Sequence, residues 1–292
     1  MNALQLLFNA VTIVFIAATM FAAGLGATLP ALRAVFANVL LLVLVLVANL
    51  VAIPLLGWAV AALFGLPAAA SIALLLMASS PGGPFGAKVG MMQDGDVVAG
   101  AAIQVLLAAI GSITIGPTVN VLLQVTNMGR GVALDVSTLM LTVAVLQLVP
   151  FAVGLIVRHY APSTALSWHP MAGRTSNVTF LIVLAGMLVG NWRDIVALIG
   201  SRSLLAGFVF SALAFALGTA LAVGPSERRT TMGAIAAVRN VGPALAAVGL
   251  GFGNDPAILG ALAAVLLSGL AAAVPLAAVL SRRRAPPPHG DP

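Results

Sequence analysis

Between residues 68 and 92 the chain is almost continuously apolar, yet Pro81-Gly82-Gly83-Pro84 stands in the middle of it. Proline lacks the amide donor and glycine gains too much backbone freedom, so no helix runs through these positions. In lipid the freed backbone groups have no water to bond, and a break survives only inside protein or beside a wet cavity. A second break lies at Arg239-Asn240-Val241-Gly242-Pro243. Both hold a Gly-Pro step, Gly83-Pro84 and Gly242-Pro243, and each carries a cation, Lys88 or Arg239. Broken segments at corresponding places in two halves of a chain point to the binding site of a secondary transporter.

The rest of the chain is written for a bilayer. Only 7% of the 292 residues are charged and 61% are hydrophobic, whereas a soluble domain carries about 25% charged residues. Apolar runs predict an all-α polytopic bundle of nine spans, at about 3–27, 35–64, 68–92, 97–126, 133–157, 175–191, 203–223, 231–253 and 256–280. Short alternating segments of the β-barrel kind are not visible. Residues 1–281 read as one transmembrane domain, with its first apolar run kept as a helix rather than cleaved, and 282–292 as a disordered cytoplasmic tail.

Lysine and arginine in the loops set the orientation. With the C-terminus inside, eight arginines (Arg33, Arg158, Arg174, Arg228, Arg229 and Arg282, Arg283, Arg284) are cytoplasmic and three (Arg130, Arg193, Arg202) are outside. The N-terminus is then external, Trp58 and Trp192 fall near the outer interface, and the expected home is a bacterial inner (plasma) membrane. The net charge of +6 is scattered among loops rather than gathered in a stripe, which argues for topology and against nucleic acid. There is no cysteine, and His159, His169 and His289 read as loop or tail residues without ligand spacing. No metal site, resident cofactor or enzyme motif follows. The partners expected are the lipid bilayer and a small organic anion; oligomeric state leaves no signal.

Lys88 and Arg239 are the basic residues expected at membrane depth, while all seven acids fall in loops, at span ends or in the tail. A central charge costs at least ~2.5–3.5 kcal/mol, so each needs a reason to be there. Positive charge without interior carboxylates favours an anionic ligand. A blander reading also stands for each: Lys88 snorkels to the interface, and Arg239 braces the carbonyls of the broken helices. Asn120, Gln124 and Gln147 read as interhelical hydrogen-bond partners with no ligand contact, and Pro117 and Pro150 as ordinary kinks.

Several pieces together resemble the bile acid:sodium symporter family. Ser80-Pro81-Gly82-Gly83 is similar to its Pro-Gly-Gly crossover, and Asn240-Val241-Gly242-Pro243-Ala244-Leu245-Ala246 to its second crossover. Asn49, ahead of Pro54, stands where the family often has Gln, and Gly24-Leu25-Gly26-Ala27-Thr28-Leu29 matches Gly-x-Gly-x-Thr-Leu. The resemblance implies inverted repeats, with a core (about 35–126 and 203–280) holding two broken helices that cross at midmembrane. A panel (about 3–27 and 133–191) would move against it. The implied substrate site takes in Asn49, Ser80, Pro81, Gly82, Gly83, Pro84, Lys88, Gln104, Arg239, Asn240, Gly242 and Pro243.

The chain departs from that pattern where family members hold sodium. Gly86 and Ala87 replace Ser-Asn, Ile235 replaces a Glu, Arg239 replaces a Gln, and Gly100 and Gln104 fall at a Ser and a Thr. A hard cation needs several oxygen ligands, so sodium binding in the family manner is not expected, and side-chain cations would stand in its place. The expectation is a secondary active carrier of an organic anion working by alternating access, with Lys88 either neutralised by the anionic substrate or cycling its proton as part of transport. An arsenite- or auxin-type efflux carrier is the nearest rival, and a channel or non-transporting receptor the rival of another class. If Lys88 cycles its proton, uptake into proteoliposomes varies with pH; pH-independent, sodium-driven uptake that survives Lys88→Ala would exclude the idea.

Overall fold

The apolar runs form long helices in the structure, a computed structural model that describes residues 3–83, 95–126, 135–190 and 202–282 with Gly86, Val89, Trp192, Arg193 and Val196 between them. In order these are α1 (Ala3–Gly26), α2 (Leu29–Ala37), α3 (Val39–Val47), a π-helical turn (Ala48–Ala52), α4 (Ile53–Phe64), α5 (Ala68–Ala78), α6 (Val97–Val125), α7 (Val136–Tyr160), α8 (Pro162–Gly190), α9 (Ser203–Leu221), α10 (Ser226–Ala237), α11 (Val241–Phe252) and α12 (Pro256–Arg282). No strand occurs among the described residues, and seven helical segments are long and apolar enough to cross a membrane. The chain is an all-α polytopic integral membrane protein.

Polar residues sit where the helices end. The first N–H groups of a helix have no internal acceptor, and a short oxygen-bearing side chain supplies one. Thr28 accepts from Ala31 N at 3.4 Å, Asn38 from Leu41 N at 3.1 Å, and Asp96 from Ala99 N at 2.9 Å. Asp135 and Asp255 do the same at the starts of α7 and α12. Carboxylates there also meet the positive end of the helix dipole. This is why acids occur at span ends and leave the interior alone. Asp96 further pairs with Arg228 at 2.8 Å, tying the start of α6 to the first turn of α10.

Two stretches read as connections are helical instead. The gap between the spans expected at 3–27 and 35–64 is filled by α2, with Thr28 as N-cap and Pro30 in the first turn; both are helix-start signals. The stretch 158–174 is no loop: Arg158 and His159 close α7, and His169 and Arg174 lie inside α8, with Ala161 alone separating the two helices. At 1.5 Å per residue α8 is about 43 Å long, more than the hydrocarbon core of about 30 Å. Its polar first half is an extension of the span expected at 175–191. Pro117 and Pro150 lie inside continuous helices.

Packing centres on two sets, joined where α6 lies against α7. α1 runs along both α7 and α8, while α9 packs on α10 and α12, and α5 on α4 and α12. The first set is held by backbone contact: a Cβ on Gly24 would collide with Phe151 O, and one on Gly154 would lie 2.5 Å from Phe21 O. Phe15 and Phe180 stack with centroids 5.5 Å apart, and the Thr19 and Ser176 hydroxyls meet at 2.5 Å. In lipid, helices associate through such close packing and polar contacts, because burying apolar surface gains little there. Gly154→Val is therefore expected to separate α1 from α7 and destabilise the protein by about 1–3 kcal/mol, the usual range for overpacking. Thermal unfolding in detergent reads the effect, with Gly173→Ala, at a glycine with open space around it, as the neutral comparison.

Candidate functional site

Both breaks are present and they touch. α5 stops at Ala78, where Ser80 Oγ turns back to donate to Leu76 O at 2.8 Å, and the buried residues 79–83 continue without helical structure. α10 stops at Ala237, and α11 restarts at Val241 with Asn240 as its N-cap, Oδ1 accepting from Gly242 N at 3.2 Å. The Asn240 N–H donates to Ser80 O at 2.9 Å, so the broken strands of the two segments satisfy one another inside the protein. Glycine permits the approach. Gly82 has φ 78°, and a Cβ there would lie 2.5 Å from Ala108 N and 2.8 Å from Gln104 O on α6. At Gly83 a Cβ would lie 2.5 Å from Arg239 O.

Arg239 is the central piece. Its side chain is 3% exposed and all five of its N–H donors have acceptors. Nη1 donates to Asn49 Oδ1 at 2.6 Å and to Ala236 O at 3.5 Å; Nη2 donates to Ala78 O at 2.8 Å and Asn49 O at 3.2 Å; Nε donates to Met77 O at 3.3 Å. The charge thus faces the C-terminal carbonyls of α5 and α10, the negative ends of two helix dipoles. The third element is the π-helical turn ahead of Pro54. Pro54 cannot donate to the preceding turn, and in the widened turn Asn49 keeps its own oxygens for the guanidinium while Nδ2 donates to Val45 O at 3.0 Å. The bracing role anticipated for Arg239 is what the geometry shows.

The other anticipated residues are distributed unevenly. Asn49, Ser80, Pro81, Gly82, Gly83, Arg239, Asn240, Gly242 and Pro243 are all buried and lie at or beside the crossing; Gln104 is buried on the α6 turn that Gly82 contacts. Lys88 and Pro84 lie outside the described residues. Met77 is buried and gives its carbonyl to Arg239.

One residue goes beyond what was expected of it. Gln147 on α7 is an interhelical partner, with Oε1 accepting from Asn240 Nδ2 at 3.1 Å, but its own Nε2 is buried without any partner. Near this pair a crevice of about 440 Å³ opens between α1, α7 and α11. Its wall includes Thr12, Ile16, Thr142, Leu146, Leu245 and Gly249, and Ile16 also packs against Gly242 at the start of α11. That volume lies in the range of small-molecule sites.

Comparison with known proteins gives the family. A sequence model of the sodium bile acid symporter family matches residues 13–224. The chain belongs to the sodium bile acid symporter family. It is therefore related to transporters of that kind; no curated protein matches it significantly. The family match spans α1 to the turn after α9, including the first break, and ends before α10, so the second break and Arg239 lie beyond it.

Arg239→Met is expected to leave four acceptors bare at the crossing, since the Met77 carbonyl also accepts from Ser80 N at 3.0 Å. Because a buried unpaired polar group costs about 1–3 kcal/mol, the variant should lose about 3 kcal/mol or more. Arg239→Lys, with three donors in place of five, should fall between it and wild type in thermal unfolding. Equal stability of all three would remove the brace.

Proposed function

We propose that this protein is a secondary active transporter of an organic anion that works by alternating access and does not use sodium in the family manner. The observation that carries this is the Arg239 guanidinium, held by oxygens from both breaks and from the Asn49 turn. An oxygen cage at the ends of two half-helices is chemistry suited to a small cation. Here its acceptors are already engaged by a side chain that stays charged when buried. A tethered charge does not leave with each cycle, so it supports the crossing without an ion gradient.

The anion preference follows from the same charge balance. Arg239 has no carboxylate partner among its contacts, and α11 turns its N-terminal N–H groups and positive dipole end toward the crossing. With all donors of Arg239 occupied, its contribution to an anion is through-space attraction rather than a hydrogen bond. The packing of α1 along α7 and α8 supports their motion as a panel, with α7 resting on α6 of the core, and the crevice bordered by α1, α7 and α11 is the substrate's place. Lys88 is assigned the proton-linked role.

Counterflow of radiolabelled cholate, pantoate and pyruvate in proteoliposomes tests the reading. Saturable exchange of at least one of them should persist when choline replaces sodium on both sides. Exchange that falls to background without sodium would overturn the sodium-independent mechanism, and linear, non-saturating flux would replace the carrier by a channel.

A further inference from the structure

Gln147 joins α7 to the crossing through a single amide-to-amide hydrogen bond, and the orientation of both amides is forced. Asn240 Oδ1 is committed to Gly242 N at 3.2 Å as the cap of α11, so Asn240 turns Nδ2 toward α7. Only the oxygen of Gln147 can meet that donor, which it does at 3.1 Å. The Gln147 amide nitrogen is then left facing elsewhere, buried with no acceptor on a side chain that is 1% exposed. Buried donors are almost always satisfied, and an exception calls for a reason. Reversing the Gln147 amide does not help, since two N–H groups would then oppose each other. The crevice is one residue away along each helix contact: Leu146, next to Gln147 in the chain, lines it, and so does Ile16, which packs against Gly242.

We propose that Gln147 is a substrate-responsive latch: its side-chain oxygen occupies the position of a carboxylate oxygen at Asn240, and its Nε2 is the donor that an entering carboxylate meets. The inference rests on the transporter reading above and names the group of the substrate that the crossing recognises. What the empty site leaves available is donors: the two Nε2 hydrogens of Gln147 and the second Nδ2 hydrogen of Asn240. A ligand that only accepts satisfies them, and a carboxylate with two oxygens can take one from each amide. On entry the carboxylate replaces Gln147 Oε1 at Asn240, freeing α7 from the crossing. In its absence the amide-to-amide bond keeps the two together.

The two halves of the side chain can be tested apart. Gln147→Glu keeps an oxygen for Asn240 but replaces the donor with a second, charged oxygen. Gln147→Met keeps the shape and removes both functions. The chain has no cysteine, so a spin-label pair can be introduced at Val145 on α7 and Leu213 on α9, both lipid- or solvent-facing and outside the crevice. The double electron–electron distance distribution is then read in nanodiscs, alongside counterflow of cholate, pantoate and pyruvate. Gln147→Met should broaden or shift the distance distribution. Gln147→Glu should leave it narrow while raising the KM of the transported carboxylate by roughly tenfold or more, the loss of one hydrogen bond to a charged group. An unchanged distance in Gln147→Met overturns the latch, and an unchanged KM in Gln147→Glu overturns the carboxylate contact. If wild type exchanges none of the three acids, the transporter reading fails for them, while the distance measurement still decides the latch.

Discussion

A positive charge sealed inside an apolar bundle constrains everything near it. Arg239 cannot be neutralised by an acid, because the described acids sit at helix starts, so the backbone must supply the negative potential. Carbonyls are free to do so only where helices stop or widen. α5 stops at Ala78, α10 stops at Ala237, and the helix through Asn49 widens into a π-turn. Charge-assisted hydrogen bonds contribute about 1.5–3 kcal/mol each, so a few of the five offset the ~2.5–3.5 kcal/mol cost of central burial. The breaks make the guanidinium tolerable, and the guanidinium satisfies the breaks. Neither would persist in lipid without the other.

The glycines set how closely this arrangement is drawn. Gly82 and Gly83 bring the first break against α6 and against the Arg239 peptide, at distances where a methyl group would collide with backbone. The Asn240 to Ser80 hydrogen bond forms only at that separation. A crossing assembled from backbone contacts has little capacity to deform internally, which favours movement of whole helices around it over rearrangement within it.

Much of this was written plainly enough to read from the chain. Proline and glycine punctuation located both breaks within a residue or two, and the apolar runs located most helices. The polar first half of α8 hid its helix, since Arg, His, Ser and Pro between 158 and 174 look like a connection when tertiary support is unknown. α2 was missed for a different reason: it falls largely in the gap between the runs at 3–27 and 35–64, where Thr28 and Pro30 start a helix that the apolar pattern does not announce. Which residues lie at the two breaks was legible, but their pairing was not. Asn49 and Arg239 are 190 positions apart, and no local pattern states that one receives the other. The significance of Gln147 also required coordinates, because an unsatisfied nitrogen is a property of its surroundings, not of the residue.

The joint between α7 and α8 has a consequence for how force passes through the molecule. With Ala161 as its whole length, it contains no slack, and α1 is pressed against α7 where Gly24 meets Gly154. A pull on the Gln147 side chain is therefore delivered to a stiff three-rod lever whose far arm extends beyond the hydrocarbon boundary. Tension or thinning in the surrounding bilayer would act on that same arm, making the lipid itself a mechanical input to the crossing.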